Sequence, residues 1–281
     1  MTTGSVAKSL FPGSVLVPYR GLTVEVQRGG ASRYPHLLDK IRNEVLMIAA
    51  CSRGWERPHQ IEHFRKTFKL GPLYETDALA LIYENGRLKG LAGAVNKWRS
   101  GAGSIVHLCS VGLLRELQAR GFIPCLMRLL WQLCLQDEEL FFEYGRGHLY
   151  VTAITQSPYL MAMLDRLFRV FPSPTRSRPD PDEVSVARTV VQRFDPHLQL
   201  EEDSFVLRKE CEFFYRDKPT SLNAGWNDYC RRILRDQGDV FVAVGRAAAE
   251  RLDPYFRAVQ QQYPELTAAL DRVVDTSFVE R

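Results

Sequence analysis

The 281-residue sequence has no apolar run long enough to span a bilayer and no cysteine pair with CxxC spacing. Most of its six cysteines stand inside apolar segments, which favours buried free thiols in a reducing compartment over disulfides or structural zinc. The first residues lack the charged region and the apolar stretch that a secretory signal needs. We therefore expect a cytoplasmic protein that does not bind a membrane.

Neither sign of charge is in large excess, since the sequence has 37 lysines and arginines and 33 aspartates and glutamates. There is no basic tail and no basic stripe interleaved with aromatic residues, so nucleic-acid binding is not expected. The GxGxxG pattern of nicotinamide-binding folds and the GxSxG pattern of serine hydrolases are both missing. The composition that remains, 45% hydrophobic and 25% charged, is typical of a globular chain with a buried core.

Periodicity in the first part of the chain predicts a mixed order of strands and helices. Alternating, β-branched or apolar stretches predict strands at residues 23–27, 78–83, 88–95, 104–113 and 148–155. Helical spacing of apolar residues predicts helices beginning near residues 35, 58, 121 and 158. Asn85-Gly86 predicts a hairpin between two of the strands. Residues 1–20 show no such pattern and are expected to be loop-like.

After residue 171 the sequence predicts two further strands, at residues 204–208, with an extension toward Phe214, and at 239–244. Helices are expected at residues 180–194, 222–236 and 246–262. Residues 172–203, with Arg176 and Arg178, either cover a cleft or form a surface loop. We expect one enlarged domain of residues 1–281, with a core over 23–171, an insertion over 172–203 and closing strands and helices over 204–281. A compact core with a small α/β appendage is the alternative.

The stretch LQARGFIPCLMRLLW, residues 117–131, leads from the strand at 104–113 through a polar turn into an apolar helix. A helix N-terminus presents free N–H groups and partial positive charge, so it attracts phosphate. Arg115 and Arg120 add positive charge, and Gly121 lets a ligand approach the backbone closely. A strand-to-helix turn needs a glycine and polar residues in any case, so a phosphate site and a simple tight turn both remain open.

The order of elements around this turn resembles the GNAT-type N-acyltransferase superfamily, over roughly residues 23–171. The loop of that family reads Gln/Arg-x-x-Gly-x-Gly/Ala and holds the pyrophosphate of acyl-CoA. The matching residues here are Gln118, Ala119, Arg120, Gly121, Phe122 and Ile123. Ile123 replaces the last small residue of the pattern, and Pro124 removes one N–H donor. The resemblance implies a mixed, mostly antiparallel twisted sheet flanked by helices, here with C-terminal helical insertions.

The resemblance also implies an activity, the transfer of an acyl group, most often acetyl, from a CoA thioester to an amine. The strand before the loop would diverge from the next strand of the sheet. Val111, Gly112 and Leu113 would then offer backbone groups to the pantetheine arm and the thioester carbonyl. The acceptor, a small-molecule amine or a protein amine, stays open, as do the acyl length and the oligomeric state, a homodimer included. No metal is expected.

The general acid and base are less clear from the sequence. Met163 and Leu164 stand where the family often has a tyrosine, in the helix after the strand at 148–155. The catalytic candidates are Tyr159, one turn earlier, and His107, whose ordinary pKa suits a base. A structural role in the core is the competing interpretation for both residues. The altered loop and the missing tyrosine also fit a catalytically inactive scaffold that binds a partner.

A separate motif, His59-Gln60-Ile61-Glu62-His63, matches HxxEH, the inverted zincin pattern. Two histidines on one helical face can bind zinc while the glutamate acts as a base. No third ligand stands out, and short motifs recur by chance, so a zinc hydrolase is a remote alternative. In the GNAT-like interpretation His59, Glu62 and His63 border the acceptor cleft and contact the substrate, although a solvated helix face is the default.

Overall fold

The computed structural model describes residues 9–28, 31–67, 71–118, 120–208, 220–236 and 238–275. Strands β1 to β9 are, in order, Val15–Tyr19, Leu22–Arg28, Ala78–Glu84, Arg87–Ser100, Gly103–Leu113, Leu149–Thr155, Leu200–Glu201, Val206–Leu207 and Val240–Arg246. Helices α1 to α10 are, in order, Pro35–Cys51, Pro58–Thr67, Gly71–Tyr74, Phe122–Cys134, Glu138–Gly145, Pro158–Phe168, Pro181–Phe194, Ala224–Ile233, Ala249–Gln262 and Pro264–Asp275. Within these ranges, no helix combines the length and apolarity needed to cross a membrane.

The strands follow the hydrogen-bonded order β1-β2-β3-β4-β5-β6-β9-β8-β7. Every pair whose register is described runs antiparallel except β5 and β6, which are parallel. A parallel pair requires a crossover, and the chain makes it between residues 114 and 148 through α4 and α5. The predicted mixed, mostly antiparallel sheet flanked by helices is confirmed.

The chain divides into two compact units. The first consists of Met1–Val95, Cys109–Asp137 and Phe256–Arg281, and the second of Asn96–Leu108 and Glu138–Tyr255. Strands β4 and β5 and helix α9 therefore contribute residues to both units. The organisation of residues 1–281 as one enlarged domain stays a prediction.

The first unit is built on the strands β1 to β4. Its β3–β4 hairpin turns at Asn85 and Gly86, both with positive φ (51° and 75°), which confirms the predicted turn. Helices α1 and α2 cover the sheet with one apolar cluster, in which Leu81 of β3, Ile48 of α1 and Phe64 of α2 are all buried. Helix α4 packs against β3, and α10 packs against both α4 and β1. This arrangement holds the loop that precedes α4.

The second unit is built on β6 and β9, which pair antiparallel over six residues of each strand. Helices α6 and α7 both pack against these two strands, and α8 packs against α6. Helix α7 begins near the predicted residue with a capping box, in which Asp180 and Glu183 satisfy each other's backbone N–H groups. Trp226 of α8 is buried and contacts Tyr229 edge-on at 5.7 Å between ring centroids.

Several sequence expectations were wrong at the edges of the sheet. Residues 1–20 are not all loop, because β1 lies there as an edge strand that tolerates Pro18. The strand expected over 204–208 shortens to β8, since Phe205 turns the chain with a φ of 50°. Its extension toward Phe214 lies outside the described residues. Helices α5 and α10 were not predicted, and the helix expected from residue 246 begins at Ala249.

A buried carboxylate, Asp239, ties β8 to the segment between α8 and β9. Its side chain is fully buried and accepts a hydrogen bond from Arg208 Nη1 at 2.6 Å. The backbone N–H groups of Arg235 and Asp236 each donate to its Oδ2 at 3.0 Å. A buried charge is stable only with such partners, so these three donors are what makes the aspartate tolerable.

We expect Asp239→Ala to lower the free energy of unfolding by about 3 kcal/mol, because two partly buried backbone N–H groups lose their acceptor and Arg208 Nη1 loses one of its two. Asp228→Ala, which removes a 74% exposed carboxylate on α8, should change it by less than about 0.5 kcal/mol. Urea unfolding at neutral pH measures both variants. Equal effects of the two substitutions would contradict the assignment of Asp239.

Candidate functional site

Strand β5 pairs with β6 over only part of its length. The parallel register runs from Ser104 opposite Leu149 to Leu108 opposite Ala153, whereas β5 continues to Leu113. Backbone groups of successive residues in a strand point to opposite edges. Leu114 donates its N–H to the carbonyl oxygen of Lys89 in β4 at 2.9 Å. By alternation, Val111 and Leu113 direct their backbone groups away from β4.

Gln118 satisfies one of these backbone groups. Its side-chain Nε2 donates to the carbonyl oxygen of Leu113 at 3.0 Å, and its own N–H donates to the carbonyl oxygen of Arg115 at 3.2 Å. The glutamine thus fastens the loop to the end of β5. This contact differs from the pyrophosphate contact that the resemblance implies for Gln118, which stays a prediction. Ala119, the next residue of the predicted cofactor loop, lies outside the described residues.

Gly121 opens α4 in the left-handed backbone conformation, with φ 80° and ψ 4°. A β-carbon at this position would overlap the aromatic ring of Tyr263, in the short link between α9 and α10. Positive φ and the ring together account for the glycine without a ligand. In the sequence analysis Gly121 lets a ligand approach the backbone closely. On this side of the backbone, the ring of Tyr263 takes that position.

The first turn of α4 nevertheless offers hydrogen-bond donors. In the part of the chain that the structure describes, the backbone N–H groups of Phe122 and Ile123 donate to no acceptor. Pro124 has no N–H, and the N–H of Cys125 donates to the carbonyl oxygen of Gly121 at 3.2 Å. The first three residues of the helix therefore present two amide donors, at the end where the helix dipole favours an anion.

A cavity of about 520 Å³ borders the loop within the first unit. Its wall includes Arg120, Phe122 and Tyr263, together with Arg20 and Glu265. Arg20 and Glu265 form an exposed ion pair, with 2.7 Å between Nη2 and Oε2. An anion beside the loop would therefore meet Arg120, while the charge of Arg20 is already offset.

The last turn of α1 lies close to Gly112. A β-carbon on Gly112 would be 3.3 Å from Ile48 Cγ2 and 3.4 Å from Ser52 Oγ. Cys51, the preceding residue, is half-buried, and burial raises the pKa of its thiol. The sequence interpretation missed Ser52 and Cys51 because a serine after an apolar helix is too common to be a signal. Ser52, the residue that caps the C-terminus of α1, thus brings a hydroxyl group beside the end of β5.

His107 lies in the core of the second unit. Its Nδ1 is 2.9 Å from Thr152 Oγ1, and its ring stacks on Trp98 with 4.7 Å between centroids. The residue is 2% exposed, and burial lowers the pKa of the imidazole to about 3. These contacts are typical of a neutral core histidine. The role of His107 as catalytic base stays a prediction.

Tyr159 is the second residue of α6. Ser157 caps this helix, with its Oγ accepting from the N–H of Leu160 at 3.3 Å, so the helix begins where the sequence predicts. Tyr159 is 46% exposed. The helix is therefore not shifted to bring Tyr159 to its middle, and a catalytic role of Tyr159 stays a prediction.

The HxxEH residues occupy the outer face of α2. His59, Glu62 and His63 are exposed, whereas Phe64 of the same helix is buried in the core. Glu62 forms loose ion pairs along its own helix, at 3.7 Å to Arg65 and to Lys66. Across the described ranges, no three His, Cys, Asp or Glu side chains group so that they could hold a metal ion.

The sequence matches no protein-family model and no curated protein. The chain is similar to BjaI, a CoA-dependent acyl-homoserine lactone synthase solved with SAM and isopentyl-CoA, at 12% identity over 93% of this chain and 99% of that one (TM-score 0.41). It is similar to the loading GNATL domain of CurA from Lyngbya majuscula at 16% identity over 81% and 99% of the two chains (TM-score 0.32). A probable N-acyltransferase from Enterococcus faecalis V583 matches at 13% identity over 53% and 33% (TM-score 0.30).

BjaI is described as a CoA-dependent synthase, the CurA domain as a GNATL loading domain and the Enterococcus protein as a probable N-acyltransferase. The match spans only a third of the Enterococcus chain but nearly all of BjaI and of the CurA domain. At such identities and TM-scores the neighbours do not indicate a function for this chain, which has to be inferred from the strand and loop described above.

We expect Gly121→Ala to lower the free energy of unfolding by about 2 to 3 kcal/mol, from left-handed strain and from overlap with Tyr263. In a Tyr263→Ala background the same substitution should cost about 1 kcal/mol, because only the strain remains. Gly145→Ala is the control, since a β-carbon there meets no atom within 4 Å. Denaturant unfolding of the double-mutant cycle measures the coupling, and additive effects would contradict the contact.

We expect His107 to make the protein less stable in mild acid. The ordinary pKa of histidine, 6.5, applies in the unfolded chain, whereas burial lowers the pKa of His107 to about 3 in the folded chain. The unfolded chain therefore takes up a proton that the folded chain refuses, and stability falls as the pH drops below 6.5. Between pH 7.5 and 5.5 the wild type should lose about 1.4 kcal/mol more than His107→Leu in guanidinium unfolding. Equal losses would show that the imidazole is accessible.

Proposed function

We propose that this chain transfers an acyl group from acyl-CoA to an amine. The observation that carries the proposal is the end of β5, which continues past its last pair with β6 and directs Val111 away from β4. This strand end leads, through a loop fastened by Gln118, to a helix whose first two N–H groups have no acceptor among the described residues. An extended amide-bearing arm that ends in pyrophosphate fits such a strand edge followed by a helix N-terminus.

The pyrophosphate is the part of the ligand that α4 would hold. The N–H groups of Phe122 and Ile123 are the donors, and Arg120 adds a positive charge at the border of the loop. Gly121, which the sequence interpretation places among the cofactor contacts, serves mainly to turn the chain under Tyr263. Pro124 leaves the grip one donor short of an ordinary helix N-terminus.

The pantetheine arm and the thioester would lie along residues 111–113. Leu113 already accepts a hydrogen bond from Gln118, so the backbone of Val111 is the group on this edge that is open to the arm. Gly112, between them, is packed against α1 and keeps that helix close to the strand. Backbone donors held rigidly in this way stabilise the charge that develops on a thioester oxygen.

The reaction we propose is a direct transfer. The amine nitrogen attacks the thioester carbon, the carbon–sulfur bond breaks, and the proton that the amine loses balances the departing CoA thiolate. A covalent cysteine intermediate needs a thiolate, but burial raises the pKa of the thiols of Cys51, Cys109, Cys125 and Cys134. Acetyl-CoA is the donor to test first. The acceptor is a small-molecule or protein amine, with His59, Glu62 and His63 as proposed contacts.

One observation favours the alternative of an inactive scaffold. Tyr263 covers Gly121, and Gln118 occupies the carbonyl oxygen of Leu113, so two positions of the predicted cofactor contact are filled by the protein itself. A scaffold of this kind would bind CoA weakly or not at all. A measurement of CoA binding therefore distinguishes the acyltransferase from the inactive scaffold before any acceptor is known.

We expect CoA to bind, and Arg120→Ala to raise its dissociation constant about tenfold, since a charge-assisted phosphate contact is lost. Arg87→Ala, which removes an exposed arginine at the β3–β4 hairpin, should leave it within about twofold. Isothermal titration calorimetry with CoA and acetyl-CoA measures both. An absence of binding at millimolar CoA would favour the scaffold. Release of free CoA thiol from acetyl-CoA, with a panel of amines, then identifies the acceptor class.

A further inference from the structure

The second unit contains a cavity of about 510 Å³ with an unusual number of arginines. The wall is formed by the end of α6, the segment before α7 and the connection from β9 to α9. Five arginines line it, namely Arg169, Arg176, Arg178, Arg246 and Arg251. The acidic residues of the wall are Asp180, Glu183 and Glu250. We call this cavity the arginine pocket.

Three of the five arginines are bound to protein acceptors. Arg176 donates from both terminal nitrogens to Glu183, at 2.7 and 2.8 Å. Arg246 donates to Tyr150 Oη at 2.8 Å, and its Nη2 is 3.2 Å from a carboxylate oxygen of Asp182. Arg251 donates to the backbone carbonyl oxygen of Asp165 at 3.1 Å. These contacts fix the three side chains in position. Both carboxylate oxygens of Glu183 already accept from Arg176.

The remaining two arginines, Arg169 and Arg178, are exposed, and neither forms an ion pair or a side-chain hydrogen bond within the described ranges. The carboxyl of Asp165 is close enough to interact with Arg169. Burial raises the pKa of Asp165, and the charges of Arg251, Arg176 and Arg169 oppose that rise. Over the whole wall, five arginines stand against three acidic residues, which is an excess of two positive charges. A concave wall concentrates such a field.

The donors of the pocket suit a phosphate group. Thr175 and Ser177, on either side of Arg176 in the sequence, add hydroxyl groups to the wall. The N-terminus of α7 is not the source of the attraction, because Asp180 and Glu183 already cap it. A guanidinium group donates two parallel hydrogen bonds to two oxygens of one phosphate. A monovalent anion such as chloride cannot accept such a pair.

We propose that the arginine pocket binds the phosphate group of a small molecule, with Arg169 and Arg178 as its direct donors. The volume is in the range of small-molecule sites and exceeds what one phosphate fills, so an organic phosphate fits as well as the free ion. The proposal does not depend on acyl transfer. None of the residues that line the pocket belongs to the cofactor loop before α4.

Isothermal titration calorimetry of the full chain with inorganic phosphate, inorganic pyrophosphate and ribose 5-phosphate tests the site. We expect at least one of these probes to bind saturably, and the double variant Arg169→Gln/Arg178→Gln to weaken it about tenfold or more, because two charge-assisted contacts are lost. Arg193→Gln, an exposed arginine in the last turn of α7, is the matched control and should stay within about twofold. Binding of the free ion or of the sugar phosphate identifies the source of the group.

Two results would overturn the proposal. The first is no saturable binding of any probe at 10 mM (roughly ten-thousandfold above a micromolar dissociation constant), in a protein whose circular dichroism shows it folded. The second is binding that Arg120→Ala abolishes and Arg169→Gln/Arg178→Gln leaves unchanged, since the phosphate would then lie at α4. Loss of CoA binding alone, with the phosphate probe still held, would contradict the acyltransferase proposal and leave the arginine pocket supported.

Discussion

The hydrogen-bonding capacity of β5 constrains everything around the candidate site. A strand inside a sheet carries donors and acceptors on both edges, and each buried group needs a partner. β5 loses β6 as a neighbour after Leu108, although its backbone remains extended to Leu113. The protein satisfies one group by folding the next loop back, so that the amide of Gln118 meets Leu113. The backbone of Val111, which is left open, is the basis of the ligand site that we propose.

The loop before α4 shows how far local sequence can be trusted. The sequence predicts a turn at Gly121 followed by a helix, and both are confirmed. It leaves open whether that glycine serves a phosphate or only a tight turn. Tyr263 is remote in sequence and reaches Gly121 only through the packing of α10 on α4. A tertiary contact of this kind has no local signature, so no window of sequence could have predicted it.

The same distinction explains which elements were predicted. The β3–β4 hairpin and the starts of α6 and α7 each depend on residues a few positions apart, and each lies close to where the sequence predicts it. Edge strands depend on their neighbours instead. β1 contains a proline and needs β2 to exist, while β7 and β8 are too short to show a period of two. His107 was a candidate by its chemistry and Tyr159 by its place one turn before the family's tyrosine, and neither reason shows how deeply the side chain is buried.

The residues around the end of β5 also bear on the kind of amine that direct transfer would use. Glu116, in the turn after β5, has its carboxyl pKa lowered by the hydrogen bond from Lys89, which makes it a weak base. Cys51 stays a thiol because burial raises its pKa, and it is a weak acid for the same reason. A site with weak acids and bases gains little from proton transfer. The direct transfer that we propose would then depend on positioning, and it would favour an amine already neutral at working pH over a protonated lysine.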